Sequence, residues 1–194
     1  MIHAYGGNPD LEFVAKIRKL RELLTQYDLG DREIYITEKG FSTPQFSEHQ
    51  QAHNLVKTYV YCLSERIRLL TWHMLWDYSP GGDPGYAILR HDQTPRPSYC
   101  AYTAMTSVLE RATYAGPVPG LTASQRGFLF TKRGTTIRVL WETGKEPTEA
   151  TVTSTANTAT GIDLLGGETT FSPSAPNQFA LQLTLDPVYL ITQE

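Results

Sequence analysis

The sequence predicts an α/β portion followed by an all-β portion, and three observations carry that prediction. Up to about residue 114, apolar strand-like runs alternate with segments of helical period. A Gly- and Pro-rich stretch, "AGPVPG" at 115–120, then interrupts the pattern as a linker would. Beyond it stand short Thr-rich runs of alternating apolarity separated by Gly, Pro and Asn, the mark of an antiparallel sandwich. The expected domains are therefore 1–114 and 115–194.

"IHAY" at 2–5 is the first expected strand. Asn8 then offers a helix N-cap with Pro9 at the first helical position. Phe13, Val14, Ile17, Leu20, Leu24 and Tyr27 fall at helical spacing, and Gly30 is expected to close that helix. "EIYIT" is the second strand. Ser47 and Gln50 form a capping-box pattern ahead of the stripe Ala52, Leu55, Val56, Tyr59 and Leu63. "IRLLTWHMLW" at 67–76 predicts a third strand, longer and more buried. The loop "SPGGDPG" and the segment "YAILR" follow, and a helix is expected from about Pro97 to Leu109. Strand–helix repeated three times argues for a parallel sheet with right-handed crossovers. In the second portion "GFLFT", "TIRVLW", "EATVTST", "TGIDLL", "TTFS", "FALQLTL" and "VYLITQ" are the expected strands, with no His cluster and no paired carboxylates among them.

The totals exclude several classes of function. With 17 basic and 20 acidic side chains and a net charge of -3, the chain has no electrostatic footprint for nucleic acid. No uninterrupted apolar stretch is long enough for a membrane-spanning helix. Cys62 and Cys100 are too few for a disulfide framework or a zinc cluster; two thiols and a single bridge both remain open. The start "MIHAYGGNPD" has neither a basic segment nor an apolar signal core, and it gives the first strand no lead-in. The expectation is a chain that begins as though cut from something longer, with no localisation legible at this end.

One stretch points to chemistry. In "IYITEKGFST" an apolar strand delivers Glu38 at its end and Gly40 breaks it, and a charge at the mouth of a buried strand is costly unless something outside needs it. Strict alternation expects Ile34, Ile36 and Glu38 on one face, and Trp72, Met74 and Trp76 on one face of the third strand. The plainer alternative for Glu38 is a hydrogen bond to a loop or a pair with Lys39. His49 and His53 have the four-residue spacing of a metal pair, but no third ligand stands with them, and a solvated outer helix face is expected. The glycines of "SPGGDPG" lack the Gly-Lys-Ser/Thr continuation of a phosphate loop.

Taken in order, "IHAYGG", "IYITEKGFST", "LLTWHMLWDYS" and "GYAIL…TPRPSYCAY" resemble the last three strand–helix units of a clan A retaining glycoside hydrolase, with the sandwich tail that many of these enzymes carry. The resemblance implies a partial (β/α)8 barrel of about three βα units followed by a small antiparallel β-sandwich. It implies Glu38 as the catalytic nucleophile, His3 and Tyr5 lining the sugar site, Trp72 as a sugar platform, and Trp76 and Asp77 further out. It implies no cofactor and no metal. The acid/base of that family belongs to an earlier strand, and the remaining carboxylates offer no good substitute: Asp77 is the nearest by topology, and Asp83 sits on the loop beyond it.

Three strands cannot close an eight-stranded barrel, so the outer strands become edges and an apolar face is left uncovered. A complementing chain or a homo-oligomer is the expected cover, and a carbohydrate the expected ligand. Three functions follow as expectations: a glycosidase active only when completed, an inactive self-associating scaffold, and a carbohydrate-binding protein.

Overall fold

The structure is a computed structural model that describes residues 1–78 and 85–193. The chain divides into two compact units, Met1–Tyr99 and Cys100–Glu194. The division falls inside the last helix, ahead of "AGPVPG".

The first unit holds three parallel strands, β1 (Ile2–His3), β2 (Tyr35–Lys39) and β3 (Leu69–Trp72), in the order β1-β2-β3. After β1, Asn8 accepts a hydrogen bond from the Asp10 amide and Pro9 opens a π-helical turn, Pro9–Phe13, that runs into α1 (Val14–Gln26). The helix ends earlier than the sequence predicts: Tyr27 caps it, and Asp28 rather than Gly30 takes the left-handed conformation, at φ 57°. Between β2 and β3 runs α2 (Glu48–Ser64), opened by a reciprocal capping box in which Ser47 and Gln50 each bond the other's backbone. Its residues 51–58 are all buried, so His53 is buried instead of lying on a solvated face as expected, while His49 is exposed.

Inside this unit an ion pair ties the turn after β1 to α2. Lys57 Nζ donates to Asp10 Oδ2 at 2.9 Å and the Tyr61 hydroxyl donates to Asp10 Oδ1 at 2.9 Å. The Lys57 and Asp10 side chains are 3% and 2% exposed, so each charge depends on the other for its solvation.

Two features of the sheet depart from the sequence pattern. First, β3 is short and half-exposed, where a longer, more buried strand is predicted; Leu69 is 46% exposed and the ladder stops at Trp72. Second, β2 carries an extra residue against both neighbours. Ile36 pairs with Ile2 but Glu38 with His3; Ile36 pairs with Leu70 but Lys39 with Trp72. Such a bulge re-aims the side chains beyond it. Ile34, Ile36 and Lys39 are buried, while Tyr35 and Glu38 look out on the less covered face. The expectation that Glu38 shares a face with Ile34 and Ile36 is therefore overturned: the bulge turns the carboxylate away from them.

In the second unit the remainder of α3 (Pro97–Leu109) precedes eight strands. These are β4 (Thr113–Pro117), β5 (Gln125–Lys132), β6 (Thr135–Glu142), β7 (Thr148–Thr153), β8 (Ala159–Ile162), β9 (Glu168–Phe171), β10 (Gln178–Leu183) and β11 (Val188–Gln193). Six form an antiparallel sheet in the order β4-β5-β6-β11-β8-β9, and β10 pairs with β7. Leu140, Leu190 and Ala159 of the large sheet share one buried cluster with Ala150, Val152, Phe179, Leu181 and Leu183 of the small one, which is the packing of a sandwich.

All seven strand runs expected here form strands. The linker reading of "AGPVPG" is corrected, because Thr113–Pro117 is an edge strand bulged at Gly116, and an edge is where a sheet tolerates proline. Buried charges are satisfied locally. Arg138 donates to the Thr192 hydroxyl and the Thr153 carbonyl, each at 2.9 Å. Glu142 accepts from Ser124, Thr143, Gly144 and Thr148.

Candidate active site

The carboxyl ends of β1, β2 and β3 converge on the Glu38 carboxylate. His3 pairs with Glu38 in the β1–β2 register, so the two share a face, and His3 Nδ1 lies 3.1 Å from Glu38 Oε2. Tyr5, two residues further along, donates its hydroxyl to Glu38 Oε1 at 2.5 Å. The Tyr5 hydroxyl bond holds the Glu38 carboxyl below its usual range against partial burial, with His3 and His73 adding to the effect. Tyr5 is pushed the other way, first by burial and then by the carboxylate it bonds, so its phenol stays protonated and keeps donating. Glu38 is thus an ionised carboxylate with both oxygens engaged and its side chain 32% exposed.

Two further rings complete the mouth. His73 follows directly on β3, and its amide donates to the Lys39 carbonyl at 2.8 Å. Since Trp72 pairs with Lys39, the residue after Trp72 and the residue before Lys39 fall on the same face; these are His73 and Glu38. Tyr86 packs its ring 5.5 Å from His73 and, edge-on, 5.9 Å from Tyr5. Gly40 makes this approach possible: a Cβ there would stand 2.2 Å from the His73 carbonyl oxygen and 2.8 Å from the Tyr86 ring.

On the opposite face sits Lys39, fully buried, its ammonium 3.9 Å from the centre of the Phe41 ring and donating to the Gly6 carbonyl at 3.1 Å. Burial pulls its pKa down to about 8.

Of the residues singled out in the sequence, the structure brings His3, Tyr5 and Glu38 together. Trp72, Trp76 and Asp77 it places elsewhere, and each has a physical reason. Trp72 shares the face of Lys39, with its ring stacked on Tyr59 of α2 and tilted against the buried Phe41. Trp76 lies beyond the end of β3, stacked on His91 and donating to the His91 carbonyl at 3.2 Å. Asp77 is buried and accepts from Arg96 at 2.7 Å, an ion pair away from the Glu38 cluster. Asp83 lies outside the described residues. The sequence reading passed over His73 and Tyr86. The signal for His73 was a strand that stops at Trp72: counting alternation through to Trp76 chose the wrong neighbour.

No protein-family model matches the chain, and no curated protein matches it. Solved structures do. A family 39 glycoside hydrolase from the gut symbiont Bacteroides cellulosilyticus WH2 superposes with a TM-score of 0.80 at 22% identity, over 98% of this chain and 41% of that one. A family 30 endoxylanase from Clostridium papyrosolvens C71 gives 0.64 at 12% identity, over 89% and 45%. A glucosidase from Croceicoccus marinus gives 0.67 at 11% identity, over 96% and 51%. The chain spans about half or less of the length of these proteins. It has the fold of a C-terminal portion of a glycoside hydrolase of this architecture, an incomplete strand–helix barrel continued by a β-sandwich.

Proposed function

We propose that the chain carries the nucleophile half of a retaining glycosidase site, with Glu38 as the nucleophile. The observation that carries this is the doubly engaged carboxylate at the carboxyl end of a parallel strand, the end where barrel enzymes keep their chemistry. A group kept ionised by a phenol and an imidazole suits attack on an anomeric carbon and does not suit proton donation. Retention needs a second carboxyl group about 5–5.5 Å away as acid/base. Among the described residues none is hydrogen-bonded into the Glu38 cluster, so in this reading the acid/base stands on barrel strands outside these three. The reaction proposed is hydrolysis of O-glycosidic bonds once the barrel is completed.

Tyr35 and Leu69 are 36% and 46% exposed on the face that Glu38 shares, and further strands are the proposed cover. Their source is the same polypeptide, a complementing chain or a second copy; light scattering that finds only monomers at micromolar concentration removes the second copy. The same exposed face supports the alternative, a self-associating scaffold or carbohydrate-binding protein without turnover.

A fluoro-sugar carrying a fluoride leaving group separates the two, because fluoride departs without a proton donor and so needs only the nucleophile. Intact-mass analysis is expected to show one glycosyl adduct on Glu38 and none on Glu38→Gln. An adduct at another residue, or none with any sugar configuration, refutes the nucleophile assignment.

A further inference from the structure

We propose that His73 selects the hydroxyl pattern of the sugar seated against Glu38, its imidazole taking the place where an aromatic platform is expected. This rests on the reading of Glu38 given above. Three observations carry it.

Position comes first. The β2–β3 register puts His73 and Glu38 on one face, and the Lys39 carbonyl fixes the His73 backbone at 2.8 Å. Around the mouth the contacts run from Glu38 to Tyr5, from Tyr5 to Tyr86 and from Tyr86 to His73, so the imidazole closes the arc that the carboxylate opens.

Availability comes next. His3 is committed to Glu38 through Nδ1. Among the described residues no protein group hydrogen-bonds either ring nitrogen of His73, and the residue is half-buried. Tyr86 packs its ring 5.5 Å from the imidazole, tilted by 54°.

The third is chemistry. An indole offers a sugar its face, and stacked C–H groups discriminate weakly between epimers. An imidazole offers one donor and one acceptor in its plane, and either can read a hydroxyl by its direction. Contacts of an apolar wall are worth roughly 10–200-fold in discrimination, whereas a site built around a hydrogen bond to a hydroxyl reaches far beyond that. Glu38, Tyr5 and His3 are already engaged with one another, whereas among the described residues the ring nitrogens of His73 are not.

The experiment compares labelling of Glu38 by fluoro-sugar fluorides of gluco, galacto and xylo configuration in the wild-type chain, His73→Phe and His73→Gln. The wild type is expected to prefer one configuration. His73→Phe, which keeps a ring and loses both nitrogens, should erase at least tenfold of that preference while the poorer reagents react as before; His73→Gln should keep part of it. Retention of the wild-type preference by His73→Phe, or an equal slowing with all three reagents, overturns the proposal. If the wild type is not labelled at all, the nucleophile assignment fails and His73 is tested separately. The three free monosaccharides are then titrated while the His73 imidazole resonances, assigned from the His73→Phe spectrum, are followed by NMR. A shift produced by one configuration supports the proposal, and no shift with any of them ends it.

Discussion

Gly40→Ala probes the geometry on which the whole mouth depends. The glycine does not have a left-handed φ, so the backbone itself accepts alanine; what forbids the methyl group is space. The new Cβ would sit 2.2 Å from the His73 carbonyl oxygen, where ordinary contact begins at 3.4 Å. Backbone must therefore retreat by roughly an ångström, and a carbonyl cannot swing aside as a flexible side chain does. Overpacking of this kind typically costs about 1–3 kcal/mol. Moving His73 also stretches its amide bond to Lys39, worth about 0.5–1.5 kcal/mol. A destabilisation of about 2–4 kcal/mol is expected, and at a typical urea dependence it lowers the unfolding midpoint by about 1–2 M. Urea titration followed by tryptophan fluorescence measures it, and the rate of Glu38 labelling should fall in parallel. The sign decides the matter, since Gly→Ala at an unconstrained position stabilises by about 0.4–1 kcal/mol. A neutral or stabilised variant refutes the close approach of His73 and Tyr86 to the end of β2.

Three further substitutions test other parts of the unit. Lys57→Met leaves the Asp10 carboxylate buried without its ammonium partner and is expected to cost about 3–5 kcal/mol in urea unfolding, most of it recovered in Lys57→Met/Asp10→Leu; a loss under about 1 kcal/mol, the scale of a surface pair, contradicts the burial. Lys39 has a folded pKa of about 8 against an ordinary 10.5, so between those values the unfolded chain binds more protons and stability rises with pH. Lys39→Met should flatten that rise and gain stability at neutral pH; the same slope in both proteins means the lysine is solvated. Tyr5→Phe removes the bond that lowers the Glu38 pKa most, so the acidic limb of the labelling rate should move to higher pH, and a limb that stays put assigns it to another group.

Much of the architecture was legible because it is written in local signals. Asn8-Pro9 and Ser47-Gln50 start helices for reasons internal to a few residues, and alternation in the Thr-rich tail marks strands wherever a sheet has two unlike faces. The meeting of His3, Tyr5 and Glu38 was legible through the order of the motifs. The failures share a cause: alternation counts residues, and it is correct only while the ladder is regular. An extra residue at Thr37–Glu38 shifts the count by one, which exchanges Trp72 for His73 at the mouth, and a strand that stops at Trp72 ends the alternation before Trp76. The Gly and Pro of "AGPVPG" misled in the opposite way, since a bulged edge strand uses the residues that punctuate a linker.

The irregularity in β2 also governs the sign of the charge presented to a ligand. Glu38 and Lys39 are neighbours with opposite charges, and a slip of one position would send the anion in among the helices and bring the cation out to the rim. What resists that exchange is the pairing beyond the bulge, Glu38 with His3 and Lys39 with Trp72. The polarity of the opening is therefore decided by two backbone ladders, and not by the preference of either charged side chain.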